Sequence, residues 1–154
     1  MIDRLALMSL EDDALLRQCD VRHVRGTGPG GQKRNKTSSA VMLTHRATGI
    51  AVRAETSRSQ SQNVRSALAR LHWHFATTLR ATPAELPHPF LPRQASHAAA
   101  LIDYLDAHAY SLRDTASALG VTSSQLSSWI EDCEELFVHV NTLRKSLHLR
   151  PLRH

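Results

Sequence analysis

The spacing of apolar positions changes period several times along the chain. Leu10, Ala14 and Leu15 lie at helical spacing, and Ser9 followed by Asp12 resembles a capping box, so a short helix is predicted from Leu10 to about Gln18. Asp20 to Arg25 alternates apolar and polar residues, the period of a strand with Val21 on one side. Ala40–His45 and Gly49–Arg53 read as two further short strands joined by a turn at Arg46–Gly49. Val64, Leu68, Leu71, Phe75 and Leu79 then recur at helical spacing and predict a long helix from Ser61 to about Ala81. Arg65 and Arg70 fall off that stripe, so this helix can pack on a sheet and still present charge.

Pro83, Pro87, Pro89 and Pro92 interrupt the pattern, and no helix crosses such a stretch intact. Beyond it the periodicity is helical only. Ala98, Leu101, Ile102 and Leu105 predict a helix from about Ser96 to Ala109, and Ser111 with Asp114 reads as the cap of the next. Ala116, Gly120, Val121, Leu126 and Trp129 have helix-turn-helix spacing, which favours that shape over two simply packed helices with Gly120 as a C-cap. The stretch that would read bases, Ser123–Ser128, has no basic residue, which is poor for phosphate contact. The expected architecture is α+β: a short mixed or antiparallel sheet packed by a long helix in residues 1–82, a proline-rich linker in 83–94, and a small all-α, helix-turn-helix-like domain in 95–154 with a basic C-terminal end.

Composition narrows the function. The apolar fraction of 42% is enough for a packed core. No apolar run approaches the roughly 18 residues of a membrane helix, and the N-terminus lacks a secretory pattern, so a cytoplasmic protein without membrane contact is expected. Cys19 and Cys133 make neither a disulfide framework nor a metal site, and the ten histidines show no ligand spacing; His72 and His74, two apart on a helix, point different ways. Charge is more informative. The net charge is +5, but Val21–Phe75 alone carries ten basic residues against the single acid Glu55, so that segment is +9 and the remainder −4. Such segregation points to a polyanionic partner for this segment.

Four glycines fall within Gly26–Gly31, a density needed where backbone takes positive φ or approaches a ligand closely. A flexible linker does not usually sit between two strands of one module. A phosphate-binding loop would need lysine where Gln32 stands, and no Ser or Thr follows Lys33 to hold magnesium. Gly26, Gly28 and Gly31 satisfy a dinucleotide fingerprint literally, yet no βαβ unit follows.

A third reading accounts for more residues. Gly30-Gly31-Gln32, Asn35-Lys36-Thr37, Ser39-Ala40-Val41, His45, Thr48-Gly49-Ile50 and Arg58-Ser59-Gln60, extended by Asn63, Ala67 and Leu68, form an ordered series that resembles the catalytic domain of class I peptide-chain release factors over about Val21–Leu71. Arg34 stands where that family usually has valine, and Ala47 where it usually has proline. Pro29 before the two glycines resembles the short, codon-independent ribosome-rescue members more than the decoding ones.

The resemblance implies hydrolysis of the peptidyl-tRNA ester in the ribosomal peptidyl-transferase centre, with no cofactor and no metal. Water adding to an ester carbonyl creates an oxyanion, and a donor held at that oxygen lowers the barrier. By match this role falls to the backbone N–H of Gln32, with its side-chain amide shaping the water site and Gly30 and Gly31 supplying backbone freedom. Arg25, Lys33, Arg34, Lys36, Arg58 and Arg65 would contact phosphates of ribosomal RNA or tRNA. Gly28, Asn35, Thr37, Ser39 and Gln60 would brace the loop. The implied partners are the ribosome, through large-subunit RNA, and P-site peptidyl-tRNA, met by a monomer. The chain is too short for stop-codon-reading domains, so codon-independent rescue is the expected role. A nucleic-acid-binding regulator working through the helical domain, or a non-catalytic ribosome binder, are the alternatives. The basic end at Leu143–Arg153 offers a weak analogy to the tails of rescue factors that enter the empty mRNA channel.

Overall fold

Ten regular elements account for most of residues 3–24 and 39–153, the part of the chain that the computed structural model describes. They are α1 (Arg4–Met8), α2 (Asp12–Arg17), β1 (Cys19–Val24), β2 (Ala40–His45), β3 (Ala51–Ala54), α3 (Gln60–Thr78), α4 (Ala95–Ala107), α5 (Leu112–Leu119), α6 (Ser123–Glu131) and α7 (Glu134–Ser146). The chain divides into two compact units, Met1–His74 and Phe75–His154. The mixture of a small antiparallel sheet with helices is the expected α+β class.

In the first unit the sheet has order β1-β2-β3, with both pairs antiparallel. The central strand β2 spans Ala40–His45, the residues predicted for it, because Val41, Leu43 and His45 alternate onto one buried face. Register places Val41 opposite Ala54 and Leu43 opposite Val52, so β3 extends that face. Gly49, at φ 70°, closes the hairpin with its N–H donating to the His45 carbonyl at 2.8 Å. Burying Leu15, Leu43 and Leu71 completely contributes roughly 1.5–3 kcal/mol each. Hydrogen bonds tie α3 to the sheet. Asn63 Nδ2 donates to the Ser39 carbonyl, and Arg70 Nη1 donates to the Arg53 carbonyl.

Several expectations need correction. A single helix beginning at a Ser9 cap does not form. The Asp3 carboxylate accepts from the N–H groups of Leu5 and Ala6 and starts the earlier helix α1, which leaves Ser9 at that helix's C-cap with its hydroxyl donating to the Ala6 carbonyl. The following helix α2 begins after Glu11 without a side-chain cap bond. Val21 shares the face of its partner Leu43, but β1 is the edge strand and Val21 stays 40% exposed. The buried stripe of α3 is Asn63, Ala67, Leu68, Leu71, Phe75 and Ala76; Leu68, Leu71 and Phe75 lie where the spacing put them, while Val64 and Leu79 at the ends of the pattern are only half-buried.

The second unit is helical among its described residues. Ala98, Leu101, Ile102 and Leu105 of α4 are buried as their spacing requires, with Ala116, Leu126, Ile130, Leu136 and Val140 from the following helices. Ser111 caps α5, its hydroxyl accepting from the Asp114 N–H at 3.4 Å. Gly120 ends α5 at φ 67°, and Thr122 Oγ1 accepts from the Gln125 N–H to start α6. This helix–glycine turn–helix is the arrangement that the spacing suggested. The end of the proline-rich stretch is anchored: the Phe90 ring packs at a tilt against Trp129 with centroids 4.7 Å apart, and Arg93 Nε donates to the Asp132 carbonyl. The C-terminal segment is also docked on its own helix. Asn141 exchanges two hydrogen bonds with the Leu152 backbone at 3.3 and 2.7 Å, and Arg144 donates to the carbonyls of Arg150 and Tyr110. Residues 149–152 are therefore folded back along α7, unlike a free tail.

Candidate functional site

Antiparallel pairing of β1 with β2 runs out to Val24 opposite Ala40, the pair that closes the stem around residues 25–38. Gly28, Gly30, Gly31, Gln32, Arg25, Lys33, Arg34, Asn35, Lys36 and Thr37 all belong to that segment and lie outside the described residues. The geometry available for the site is that of its frame: the two strand ends, the hairpin behind them and the turn leading into α3.

The hairpin end of the frame is held by a histidine–arginine pair. His45 is completely buried, with Nδ1 2.9 Å from Thr48 Oγ1 and Nε2 3.2 Å from Gln18 Oε1. Thr48 Oγ1 also accepts from the Ile50 N–H, leaving its own proton free to point at His45 Nδ1, an arrangement that suits a neutral ring donating from Nε2. Burial pushes the His45 pKa below its ordinary value, and the adjacent Arg46 guanidinium pushes it the same way. Arg46 itself donates to the carbonyls of Cys19 and Arg17 and lies 3.3 Å from Asp20 Oδ1. These contacts fix α2 and the start of β1 to the β2–β3 turn.

The opposite end of the frame is the turn before α3. Asn63, completely buried, accepts at Oδ1 from the Ser57 N–H at 2.9 Å and donates from Nδ2 to the carbonyls of Ser39 at 2.7 Å and Ser57 at 2.8 Å. Ser39, expected to brace the loop, is half-buried and contributes through this carbonyl. Gln60, expected in the same role, is the exposed first residue of α3. Arg58 and Arg65 are both exposed, Arg58 in the turn and Arg65 on the first part of the helix, as phosphate contacts require. Glu55, the acid within the basic segment, lies 2.9 Å from Arg53.

The structure thus brings Ser39 and the Arg58 turn to one buried amide, a relation that residue-by-residue reading did not assign. One signal could have found it: position 63 stands four residues before Ala67 and eight before Leu71, on the core face of the helix, where a polar side chain must find partners. Among the described residues no group of acids, cysteines and histidines could hold a metal ion, and no helix is long and apolar enough to cross a membrane.

Residues 14–87 match the RF-1 domain. Peptide chain release factor 2 of Thermomicrobium roseum is 43% identical over 70 residues, 44% of this chain and 19% of that protein. The peptide chain release factor homolog of Escherichia coli is 50% identical over 50 residues, 32% of this chain and 24% of the relative. The human mitochondrial translation release factor in rescue is 46% identical over 61 residues, covering 40% of this chain and 34% of the relative. The chain therefore spans about a third or less of the length of these relatives.

Proposed function

We propose, from the premise that residues 14–87 match the RF-1 domain of peptide chain release factors, that the chain hydrolyses peptidyl-tRNA on the ribosome. The observation that carries the reading is the placement of Gly30-Gly31-Gln32 between two strands whose pairing ends at Val24 and Ala40. This pairing brings the two ends of the segment that carries the motif, Val24 and Ala40, side by side at one end of the sheet. The domain has no need to enclose the substrate, because the ribosome holds the ester and the terminal ribose.

In the proposed step a water oxygen attacks the ester carbonyl carbon. The carbonyl oxygen takes up negative charge, accepts from the Gln32 backbone N–H, and loses that charge as the bond to the ribose oxygen breaks. The peptide leaves as a carboxylic acid and the ribose oxygen regains a proton. Losing one such donor costs on the order of 10²–10³ in rate. Gly30 and Gly31 serve approach, since a Cβ at either position adds bulk where backbone nears the ester. Arg25, Lys33, Arg34 and Lys36, with exposed Arg58 and Arg65, supply phosphate contacts that hold the domain in register. The proposed acting species is a monomer of domains 1–82 and 95–154 joined by the linker at 83–94.

The role we assign is codon-independent rescue. It is supported by the similarity to a release factor that acts in rescue and by Pro29 before the two glycines. The test is release of labelled peptide from purified ribosomal complexes with a stop codon, with a sense codon, and with mRNA ending at the P site. Release independent of the codon is expected. Strict dependence on a stop codon would overturn the rescue role and leave the hydrolase assignment standing.

A further inference from the structure

We infer that Asn63 is a positioning residue for peptide release: its buried amide registers the strand leaving the glycine segment against the turn that carries Arg58. The inference rests on the function proposed above.

Asn63 makes three hydrogen bonds through its side chain, to the Ser57 N–H, the Ser57 carbonyl and the Ser39 carbonyl, all at 2.7–2.9 Å. An amide that served only its own helix terminus would bond within its own turn. This one joins two backbone segments distant in sequence, and each has a functional neighbour. Ser39 directly precedes Ala40, the last β2 residue paired with β1, so Asn63 grips the stem one residue beyond its closing pair. Ser57 directly precedes Arg58. The same side chain thereby sets both the exit point of the segment containing Gln32 and the position of a cation expected on RNA.

The chemistry of the site makes the amide hard to replace. Aspartate at 63 keeps an acceptor for the Ser57 N–H but turns the donor of two bonds into an oxygen facing two carbonyls. Alanine leaves those carbonyls and the Ser57 N–H without their partner in a buried place. Either change lets the stem and the turn move relative to each other, and a displacement near 1 Å of a reacting group costs on the order of 10²-fold.

The experiment measures single-turnover peptide release by the full chain from stalled ribosomal complexes, with rates normalised to ribosome-bound protein so that a partly unfolded variant is still read. Asn63→Asp, Asn63→Ala and the smaller polar Asn63→Ser are compared with Val52→Ala, which removes buried volume from β3 without touching the Ser39–Ser57 bridge. Expected for the Asn63 variants is a fall in kcat of about 10- to 100-fold, with KM for the complex within roughly twofold of wild type. Val52→Ala should lose thermal stability yet keep the wild-type kcat. Wild-type kcat in bound Asn63→Asp, or an equal fall in Val52→Ala, would assign Asn63 to stability alone while the proposed function stands. A wild-type chain that releases nothing would overturn that function and this inference together.

Discussion

Replacing His139 by leucine should remove a large part of the acid sensitivity of the helical unit. His139 lies on α7 with a buried Nε2 that has no hydrogen-bond partner among the described residues, and its pKa is lowered from 6.5 to about 4. Burial is the main cause, Arg80 adds to it, and Asp106 opposes it. Because the folded pKa lies below the unfolded one, the unfolded chain binds the proton first as pH falls. Stability is therefore intact above pH 6.5, declines between 6.5 and about 4, and levels off below. The complete linkage for such a shift is about 3 kcal/mol; the ring is only half-buried, and solvent screening reduces the expressed share to on the order of 1–2 kcal/mol. Urea unfolding of the full chain between pH 4 and 7.5 reads this, followed by Trp129 fluorescence after Trp73→Phe. Trp129, packed against Phe90, then reports the second unit. The His139→Leu protein should show a flatter dependence by that amount, its residual slope coming from groups such as His97, which burial also lowers. Equal slopes with and without His139 would refute the reasoning.

Gln32→Pro, or alanine at both Gly30 and Gly31, should lower peptide release by at least about 10²-fold while ribosome binding persists, measured by release kinetics alongside co-sedimentation; wild-type release from these proteins would count against the assignment of the loop. Arg46→Met should cost about 1–2 kcal/mol in urea unfolding, because the carbonyls of Arg17 and Cys19 lose their donor, and an unchanged midpoint would show that this staple contributes nothing. Gly120→Ala meets open space but must hold φ 67°, so a loss of about 1–2 kcal/mol from backbone strain alone is expected; no loss would mean that the turn relaxes out of the left-handed region.

Elements carried by a strong period were legible from sequence. The β2 strand has β-branched and apolar residues alternating onto one face, and its limits at Ala40 and His45 follow from that. The buried positions of α4 and the Ser111 cap of α5 were legible for the same reason: spacing and capping chemistry act within a few residues. What sequence hid depends on contacts between distant residues. At the start of α3 the core site belongs to Asn63, a polar residue that apolar periodicity cannot mark, and its neighbour Val64 is only half-buried. Asp3 and Ser9 are both competent caps, and only the structure shows which one helix formation uses. The Arg46 staple spans α2 and β1, and Asn141 with Arg144 folds back a C-terminal stretch whose basic, amphipathic pattern resembled an extended tail. For the candidate site the division differs: its reacting residues are read from an ordered motif series, while the described structure supplies the frame that flanks them.

The most direct test of the central claim is the fate of the oxygen. Peptide release by the full chain from stalled ribosomal complexes in ¹⁸O-enriched water should yield peptide carrying one labelled oxygen in its C-terminal carboxyl group, with the tRNA left intact and the Gln32→Pro protein inactive. Ester that stays whole under saturating protein, or peptide released without label, would contradict it.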